Sequence, residues 1–303
     1  MSMKKHAFLI MAHNQWALLE KLILLLDHPE VDIFLHVDKK AKGFEPSRYL
    51  SLVRFSRFTL IPRRAVHWGG RSQIRCEFDL VRAALPGKYA YYHLLSGVDL
   101  PLKGMEEILS FFDENQGKEF VQFSVSPLDQ SYYSRFIHVH PFQEWMKAGG
   151  LLEKLQYRLV RLQEKAGYSR ISVKSRIYGK GANWFSCTHE FLSDLASCEK
   201  ELLKEFAFSR CCDEVFLQSH LLRTPFRENL FDKSFADRQE AIMRRIDWER
   251  GQPYVFRGED LEELLSSPYL FARKFDYERH PEVVDQLFSY LSERKSEPLY
   301  AKK

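Results

Sequence analysis

The stretch "YAYYHLLSGVDLPLKGMEEIL", residues 89–109, decides the predicted fold of this chain. Its tyrosines and leucines predict a buried strand that stops at the small turn "SGVD", 96–99, and the apolar spacing after Pro101 predicts a helix near 104–114. A buried strand followed by a helix is the repeating unit of an α/β sheet. The turn places one carboxylate, Asp99, at the tip of the strand.

The same alternation of strands and helices extends along the chain on both sides of that stretch. Strands are predicted at 6–13, 31–40, 58–62 and 119–125, and helices at 15–28 and 69–85. This order predicts a single domain built on a parallel or mixed α/β sheet flanked by helices. A Gly-x-Gly-x-x-Gly fingerprint is absent after the first strand, which argues against a standard dinucleotide-binding unit.

Three polar residues, His13, Asp38 and Asp99, fall where predicted strands end. Ligands of such sheets bind outside the carboxyl ends of the strands. For any one of the three, a helix cap or a turn is the simpler interpretation. Three together favour a binding site.

Composition narrows the class of protein. The chain has 303 residues, 45% of them hydrophobic, and a net charge of +4, which is too small to indicate nucleic-acid binding by itself but suits an anionic ligand. Its five cysteines are odd in number, two are adjacent and none has zinc spacing, so a reducing compartment is expected. The apolar run at 22–26 is too short to span a membrane, and a cytoplasmic protein is predicted.

Residues 126–182 differ from the rest of the chain. A loop-like, aromatic stretch is followed by the helical pattern "LLEKLQYRLVRLQEKAG", 151–167, with leucines on one face and four cations on another: Lys154, Arg158, Arg161 and Lys165. An ordinary solvated face is the simpler interpretation. Peripheral contact with an anionic membrane, at its inner face, is the alternative.

Two carboxylates, Asp213 and Glu214, stand at a predicted helix start in "RCCDEVFLQSHLL", 210–222. Carboxylates there satisfy free N–H groups and suit the helix dipole, which is the structural interpretation for both. One carboxylate usually suffices for capping. The other, beside Val215 and Phe216, is a candidate general base whose pKa the apolar surroundings would raise.

The C-terminal third contains a predicted strand, "PYVF", 253–256, and the segment "LFARKFD", 270–276, which puts two cations after an apolar pair. Cations beside buried aromatics are costly unless they meet an anion. A local salt bridge from Arg273 or Lys274 to Asp276 is one explanation, and a bound phosphate is the other.

Eight motifs in order resemble the core-2/I-branching β-1,6-N-acetylglucosaminyltransferases and the related peptide O-xylosyltransferases. They span about residues 6 to 276 and read "IMAHN", "LHVDKK", "HWGGRS", "YYHLLSGVDLPLK", "GANWF", "DEVFLQ", "DWERGQPYVF" and "LFARKFD". The resemblance implies a GT-A-like, Rossmann-like fold, a UDP-sugar donor, a glycan acceptor and inversion at the anomeric carbon. It divides the domain into a nucleotide-sugar half (1–125), a variable acceptor-side insertion (126–182) and a catalytic, diphosphate-binding half (183–303). Since the anchor and cysteine-rich domain of animal relatives are missing, a bacterial form is expected.

The resemblance also implies roles for single residues, and no divalent metal or other cofactor. Glu214 matches the catalytic base, and Lys274 matches the lysine that holds the diphosphate. The arginine that accompanies it is Arg250. Arg257 is the alternative, because the family's motif matches the sequence there only with a shift of about one residue. The remaining assignments are His13, Asp38, Trp68 and Asp99 for the donor, and Trp184 and Arg135 for the acceptor. For the two tryptophans a place in the core is the alternative.

The sequence leaves the transferred sugar open. N-acetylglucosamine is expected from the resemblance, transfer of xylose to a protein or glycan hydroxyl is the alternative, and a non-catalytic glycan-binding protein of the same fold is a third.

Overall fold

A computed structural model of the chain describes residues 6–126, 129–145, 150–172 and 176–295. Within these residues a six-stranded sheet has the order β3-β2-β1-β4-β7-β6. Its strands are β1 (His6–Ala12), β2 (Val31–Val37), β3 (Arg57–Leu60), β4 (Tyr91–Ser96), β6 (Phe120–Val121) and β7 (Phe185–Thr188). The first four are parallel to one another, whereas β7 runs antiparallel to β4 and β6, so the sheet is mixed.

The central strands are apolar because both faces of the sheet are covered. In β1, Leu9 lies opposite Phe34 of β2 and Leu94 of β4, and all three side chains are fully buried. A strand buried on both faces needs a near-continuous apolar run rather than alternation. "HAFLIMA" and "VDIFLHV" have that pattern, which is why they were recognisable as strands.

Helices cover both faces of the sheet, and there is one hydrophobic cluster on each face. One cluster contains side chains of α3 (Arg71–Ala84), α7 (His189–Ser197), α8 (Glu199–Glu205) and α9 (Phe216–Leu222). The other contains side chains of α1 (Trp16–Leu26), α2 (Pro46–Leu50), α4 (Met105–Glu114), α10 (Leu261–Ser266) and α11 (Pro281–Lys295). Helix α5 (Ser134–Ile137) contributes Phe136 to the first cluster, whereas no described side chain of α6 (Leu151–Lys165) belongs to either cluster. The predicted single α/β domain with a mixed, helix-flanked sheet is confirmed.

A second sheet, of three strands, begins just after the carboxyl end of β4. It consists of β5 (Leu100–Pro101), β9 (Phe271–Arg273) and β8 (Arg244–Ile246) in the order β5-β9-β8. The amide of Phe275 donates to the carbonyl of Val98 over 3.1 Å. The small sheet therefore carries the C-terminal third of the chain to the carboxyl end of β4.

Two strand predictions need correction. The strand expected over 119–125 is formed only at Phe120–Val121. "PYVF", 253–256, is not a strand in the structure, although the amide of Phe256 donates to the carbonyl of Lys274 over 3.0 Å. Pro253 has no N–H to contribute to a ladder, which leaves too few bonds for regular pairing.

No helix in the described residues combines the length and apolar character required to cross a membrane. All five cysteines are free, and four of them are buried.

Candidate active site

The ends of β1, β2 and β4 form one edge, as the sequence predicts. The amide of Asp38 donates to the carbonyl of Ala12 over 2.9 Å, and the amide of Gly97 donates to the carbonyl of Met11 over 2.9 Å. A Cβ atom added to Gly97 would lie 2.9 Å from the Cβ of Ala12, so this close approach requires glycine. The loops that carry His13, Asp38 and Asp99 therefore meet at the carboxyl ends of the strands, where ligands of such sheets bind.

His13, Asp38 and Lys274 share one electrostatic environment at this edge. The pKa of His13 is lowered, mainly by desolvation; the Lys274 and Lys40 charges lower it further, while the Asp38 carboxylate raises it. Asp38 also holds its own turn, because its Oδ1 accepts from the amide of Lys40 over 2.8 Å. The structure thus brings together residues separated by more than two hundred positions in the sequence.

The segment that carries Lys274 is fastened to the start of α1 by Gln15. The Gln15 amide group donates to Oδ1 of Asp276 over 2.8 Å and accepts from the amide of Tyr277 over 2.9 Å. The local salt bridge suggested for Asp276 is not formed with Arg273 or Lys274; Asp276 lies 3.6 Å from Arg279 instead. Within the described ranges Lys274 has no ion-pair partner, and the residue is partly exposed.

Asp99 lies at the strand tip but points into the protein. Its side chain is fully buried, and its Oδ2 accepts hydrogen bonds from Nη1 of Arg244 over 2.7 Å and from the amide of Ser96 over 3.0 Å. Nε of Arg273 is 3.6 Å from Oδ1 of Asp99. Burial lowers the pKa of Arg244 to about 10 against the opposing effect of Asp99. Asp99 therefore supports two arginines rather than lining the surface.

Trp184 covers this buried cluster. Its ring lies 4.1 Å from the guanidinium carbon of Arg273 and 4.9 Å from that of Arg244. Only 9% of Trp184 is exposed, whereas Trp68 is 73% exposed. The core alternative is therefore wrong for Trp68, and Trp184 is a buried residue packed on cations. Arg244 was missed in the sequence because nothing in "RRID" distinguishes its first arginine from the second.

The two candidate diphosphate arginines flank one aromatic ring. The guanidinium carbons of Arg250 and Arg257 lie 4.3 Å and 5.5 Å from the ring of Tyr254. Arg250 is held by three carboxylates, those of Asp247, Asp260 and Glu263. Arg257 is 51% exposed and has one carboxylate, Glu259, at 3.9 Å.

The candidate base and a candidate acceptor residue are in direct contact. Oε2 of Glu214 accepts from Nη1 of Arg135 over 2.7 Å and lies 3.9 Å from Nζ of Lys180. The Glu214 side chain is 38% exposed. Val215, the N-cap residue of α9, makes no side-chain capping bond, and the contacts of the Glu214 carboxylate in the described residues are with two cations rather than with helix amides.

The carboxyl group of Asp213, next to Glu214 in the sequence, has a raised pKa. Burial, followed by the Glu214 charge, raises the pKa of Asp213 to about 7, and Gln73 donates to its Oδ2 over 3.1 Å. Burial, followed by Asp213, raises the pKa of Glu77 well above its usual range, and neither Glu77 oxygen finds a hydrogen-bond partner in the described residues. The sequence signal for Glu77 is its place on the apolar face of α3, three residues after Ile74.

A cavity of about 330 Å³ opens beside the segment before Glu214. Ser209 forms part of its wall, and the amide of Cys211 donates to the carbonyl of Gly69 over 2.7 Å. Its charged and aromatic lining includes Arg64, His67, Arg71, Arg75, Glu144 and Trp145.

Among the described residues no group of three or more His, Cys, Asp or Glu side chains is arranged to hold a metal ion. The expectation of a metal-independent site stays a prediction.

Comparison with known proteins adds evidence that is independent of this geometry. A family model described as Core-2/I-Branching enzyme matches residues 6–263. Xylosyltransferase 2 of Rattus norvegicus is 23% identical over 304 residues, covering 94% of this chain and 33% of that protein. Xylosyltransferase 1 of Mus musculus is 21% identical, covering 94% and 30%. The chain thus spans about a third of the length of these curated relatives.

A solved structure, apo mouse xyloside xylosyltransferase 1, matches with a TM-score of 0.39 and 10% identity, over 88% of this chain and 96% of that one.

Proposed function

Because the chain belongs to the Core-2/I-branching enzyme family, we propose that it is a glycosyltransferase that moves a sugar from a UDP-sugar to an acceptor hydroxyl by single displacement, with Glu214 as the general base.

The proposal rests on the segment 181–184, which contacts Glu214 at one end and Arg273 at the other. The amide of Gly181 donates to the carbonyl of Glu214 over 3.0 Å, and three residues later Trp184 packs on Arg273, the neighbour of Lys274. Three residues span at most roughly 11 Å of extended chain. The backbone of Glu214 and the cationic segment at 273–274 are therefore connected by a short stretch of chain, which supports assigning the base and the diphosphate-binding cations to one site.

The proposed step uses these groups as follows. The acceptor oxygen attacks the anomeric carbon while Glu214 takes the hydroxyl proton, and the bond to the departing UDP oxygen breaks with its electron pair. Arg135 donates to one Glu214 oxygen, which orients the carboxylate and leaves the other oxygen for the acceptor. The result is inversion at the anomeric carbon.

Negative charge on the leaving diphosphate is proposed to be met by Lys274 and an arginine, without a divalent ion. Lys274 suits this role because no carboxylate pairs with it in the described residues. Its charge and that of Asp38 also both shift the pKa of His13, so Lys274 lies near the two proposed donor residues. Fixed cations stabilise developing charge in the way a metal would. Arg250 is the arginine that the motif predicts. Arg250 is already paired with three carboxylates, whereas Arg257 has one more distant carboxylate and is more exposed. Both arginines are therefore candidates.

The remaining donor residues are proposed at the same edge. His13 and Asp38 face the nucleoside side, and exposed Trp68 is available to pack on a sugar ring. Asp99 is proposed to act through Arg244 and Arg273 rather than by touching the donor.

The proposed sugar is N-acetylglucosamine. Xylose is the second candidate because the curated relatives are named xylosyltransferases. The test is hydrolysis and thermal stabilisation with a panel of UDP-sugars, including UDP-N-acetylglucosamine and UDP-xylose. Turnover of one of them supports the proposal and names the sugar. Binding without turnover of any donor, also in the presence of simple glycan acceptors, would favour the non-catalytic alternative.

A further inference from the structure

Helix α6 is packed the opposite way from an ordinary surface helix. Its two buried residues are the polar Gln156 and Gln163, which are 4% and 9% exposed. Gln156 donates to Oε1 of Gln143 over 3.1 Å, and Oε1 of Gln163 accepts from the amide of Val139 over 2.8 Å. The helix is thus attached to residues 139–143 by hydrogen bonds between amide groups, whereas surface helices normally bury an apolar stripe.

Three leucines of α6 are exposed to solvent instead. Leu151, Leu155 and Leu162 are 81%, 46% and 63% exposed. At about 100° per residue they fall within an arc of roughly 40°, centred about 110° around the helix from the two buried glutamines. They form a continuous apolar stripe, here called the leucine stripe, that nothing in the described residues covers.

A row of cations lies directly beside the leucine stripe. Lys154, Arg158, Arg161 and Lys165 follow the i, i+4, i+7, i+11 spacing of one helix face, and all four are exposed. In the part of the chain that the structure describes, none of the four forms an ion pair. An apolar stripe bordered by unpaired cations is typical of helices that lie in a membrane interface.

We propose that α6 docks the protein on an anionic lipid surface, with the leucine stripe among the acyl chains and the four cations at the headgroups. The charge of the four cations favours an anionic lipid surface over a second copy of the chain as the partner of this face. A second copy of the chain would bring the same four cations opposite one another, whereas an anionic bilayer satisfies the stripe and the cations together. The inference is independent of which sugar is transferred.

The experiment is co-sedimentation of the full chain with vesicles of phosphatidylcholine alone or mixed with phosphatidylglycerol, at low and high salt. Binding to the mixed vesicles that weakens with salt is expected, and little binding to phosphatidylcholine. Leu155→Ser with Leu162→Ser, and separately Arg158→Gln with Lys165→Gln, should each weaken binding at least about tenfold.

Matched controls separate these effects from charge and hydropathy in general. Lys200→Gln with Lys204→Gln removes two exposed cations with the same i, i+4 relation on α8, and Leu50→Ser removes a leucine that is 57% exposed. Both controls should bind vesicles as the parent does, and every variant should keep its thermal midpoint and UDP affinity. Absence of salt-sensitive binding, or equal losses in the controls, would overturn the proposal. So would light scattering that shows an oligomer dissociated by the leucine changes, since a second copy would then cover the stripe.

Discussion

Arg244 and Asp99 form an ion pair of 2.7 Å in which the arginine side chain is 1% exposed and the carboxylate is fully buried. A buried pair is not by itself strong evidence of stability, because desolvation offsets much of the attraction. Removing one partner is different, since it leaves an uncompensated charge. Asp99 serves Arg273 as well, so one carboxylate supports the two cations on which Trp184 rests.

Asp99→Asn is therefore expected to lower the free energy of unfolding by about 3 kcal/mol, the usual cost of breaking a buried pair. Urea denaturation measures it. Asp113→Asn, an exposed carboxylate on α4, is the control and should change the free energy by less than about 0.5 kcal/mol. Equal effects of the two changes would show that the buried cluster does not depend on Asp99.

Glu214→Gln keeps the size of the side chain and an acceptor for Arg135 but removes the proton acceptor. Transfer should fall by two orders of magnitude or more, the range for loss of a general base, while UDP affinity persists. Glu190→Gln, an exposed glutamate in the first turn of α7, should leave both unchanged. A Glu214→Gln enzyme that transfers sugar at the parent rate would exclude this residue as the base.

Lys274→Ala should weaken UDP binding roughly tenfold or more, because hydrogen bonds to charged groups contribute about 1.5–3 kcal/mol each. Titration calorimetry with UDP measures this directly. Arg250→Ala and Arg257→Ala, compared in the same assay, decide which arginine assists. A lysine variant with parent affinity would remove Lys274 from the diphosphate site.

Transfer should be the same in EDTA and in manganese if cations replace the metal. Initial rates at saturating donor are the measurement, after dialysis against the chelator. Activity that disappears in EDTA and returns with manganese would contradict the metal-independent mechanism while leaving Glu214 as base unaffected.

The raised pKa of Asp213, about 7, makes stability depend on pH. The folded state prefers the protonated carboxyl, so the contribution of Asp213 is present below its unfolded pKa of about 4 and is lost as pH rises towards 7, by up to about 1.4 kcal/mol per pH unit. Asp213→Asn removes this loss, so the variant should gain stability over the parent as pH rises from about 5 to 8. Urea unfolding across this range tests it. A difference that does not vary with pH would place the Asp213 pKa near its ordinary value.

Sequence patterns predicted the elements whose signal is local. β1, β2 and β4 are buried on both faces and so have long apolar runs, and the helix of α6 has regular spacing. "PYVF" was predicted wrongly because its apolar letters match a strand while its pairing depends on a partner segment. The direction of the leucines on α6 could not be predicted either, since it depends on which residues of the loop at 139–143 the two glutamines meet.

Only those residues of the candidate site that lie at predicted strand ends or in recognisable motifs could be predicted from the sequence. The spacing placed His13, Asp38 and Asp99 at strand ends, and the resemblance singled out Glu214 and Lys274. Arg244 and Glu77 were missed because burial of a charged side chain is a property of the folded chain. Arg244 is recognisable only once Asp99 and Trp184 surround it, and Glu77 only once Asp213 lies beside it.

Gln15 bonds to Asp276 across 261 residues of sequence. This contact has a consequence for the order in which the protein is made. A chain leaving the ribosome exposes β1 and the residues at its polar end well before Lys274, which follows them in the sequence at the same edge. In that interval the nascent chain can form most of its central sheet before it contains Lys274, the lysine proposed to hold the diphosphate, so UDP binding by a ribosome-bound chain would indicate that synthesis has passed residue 274.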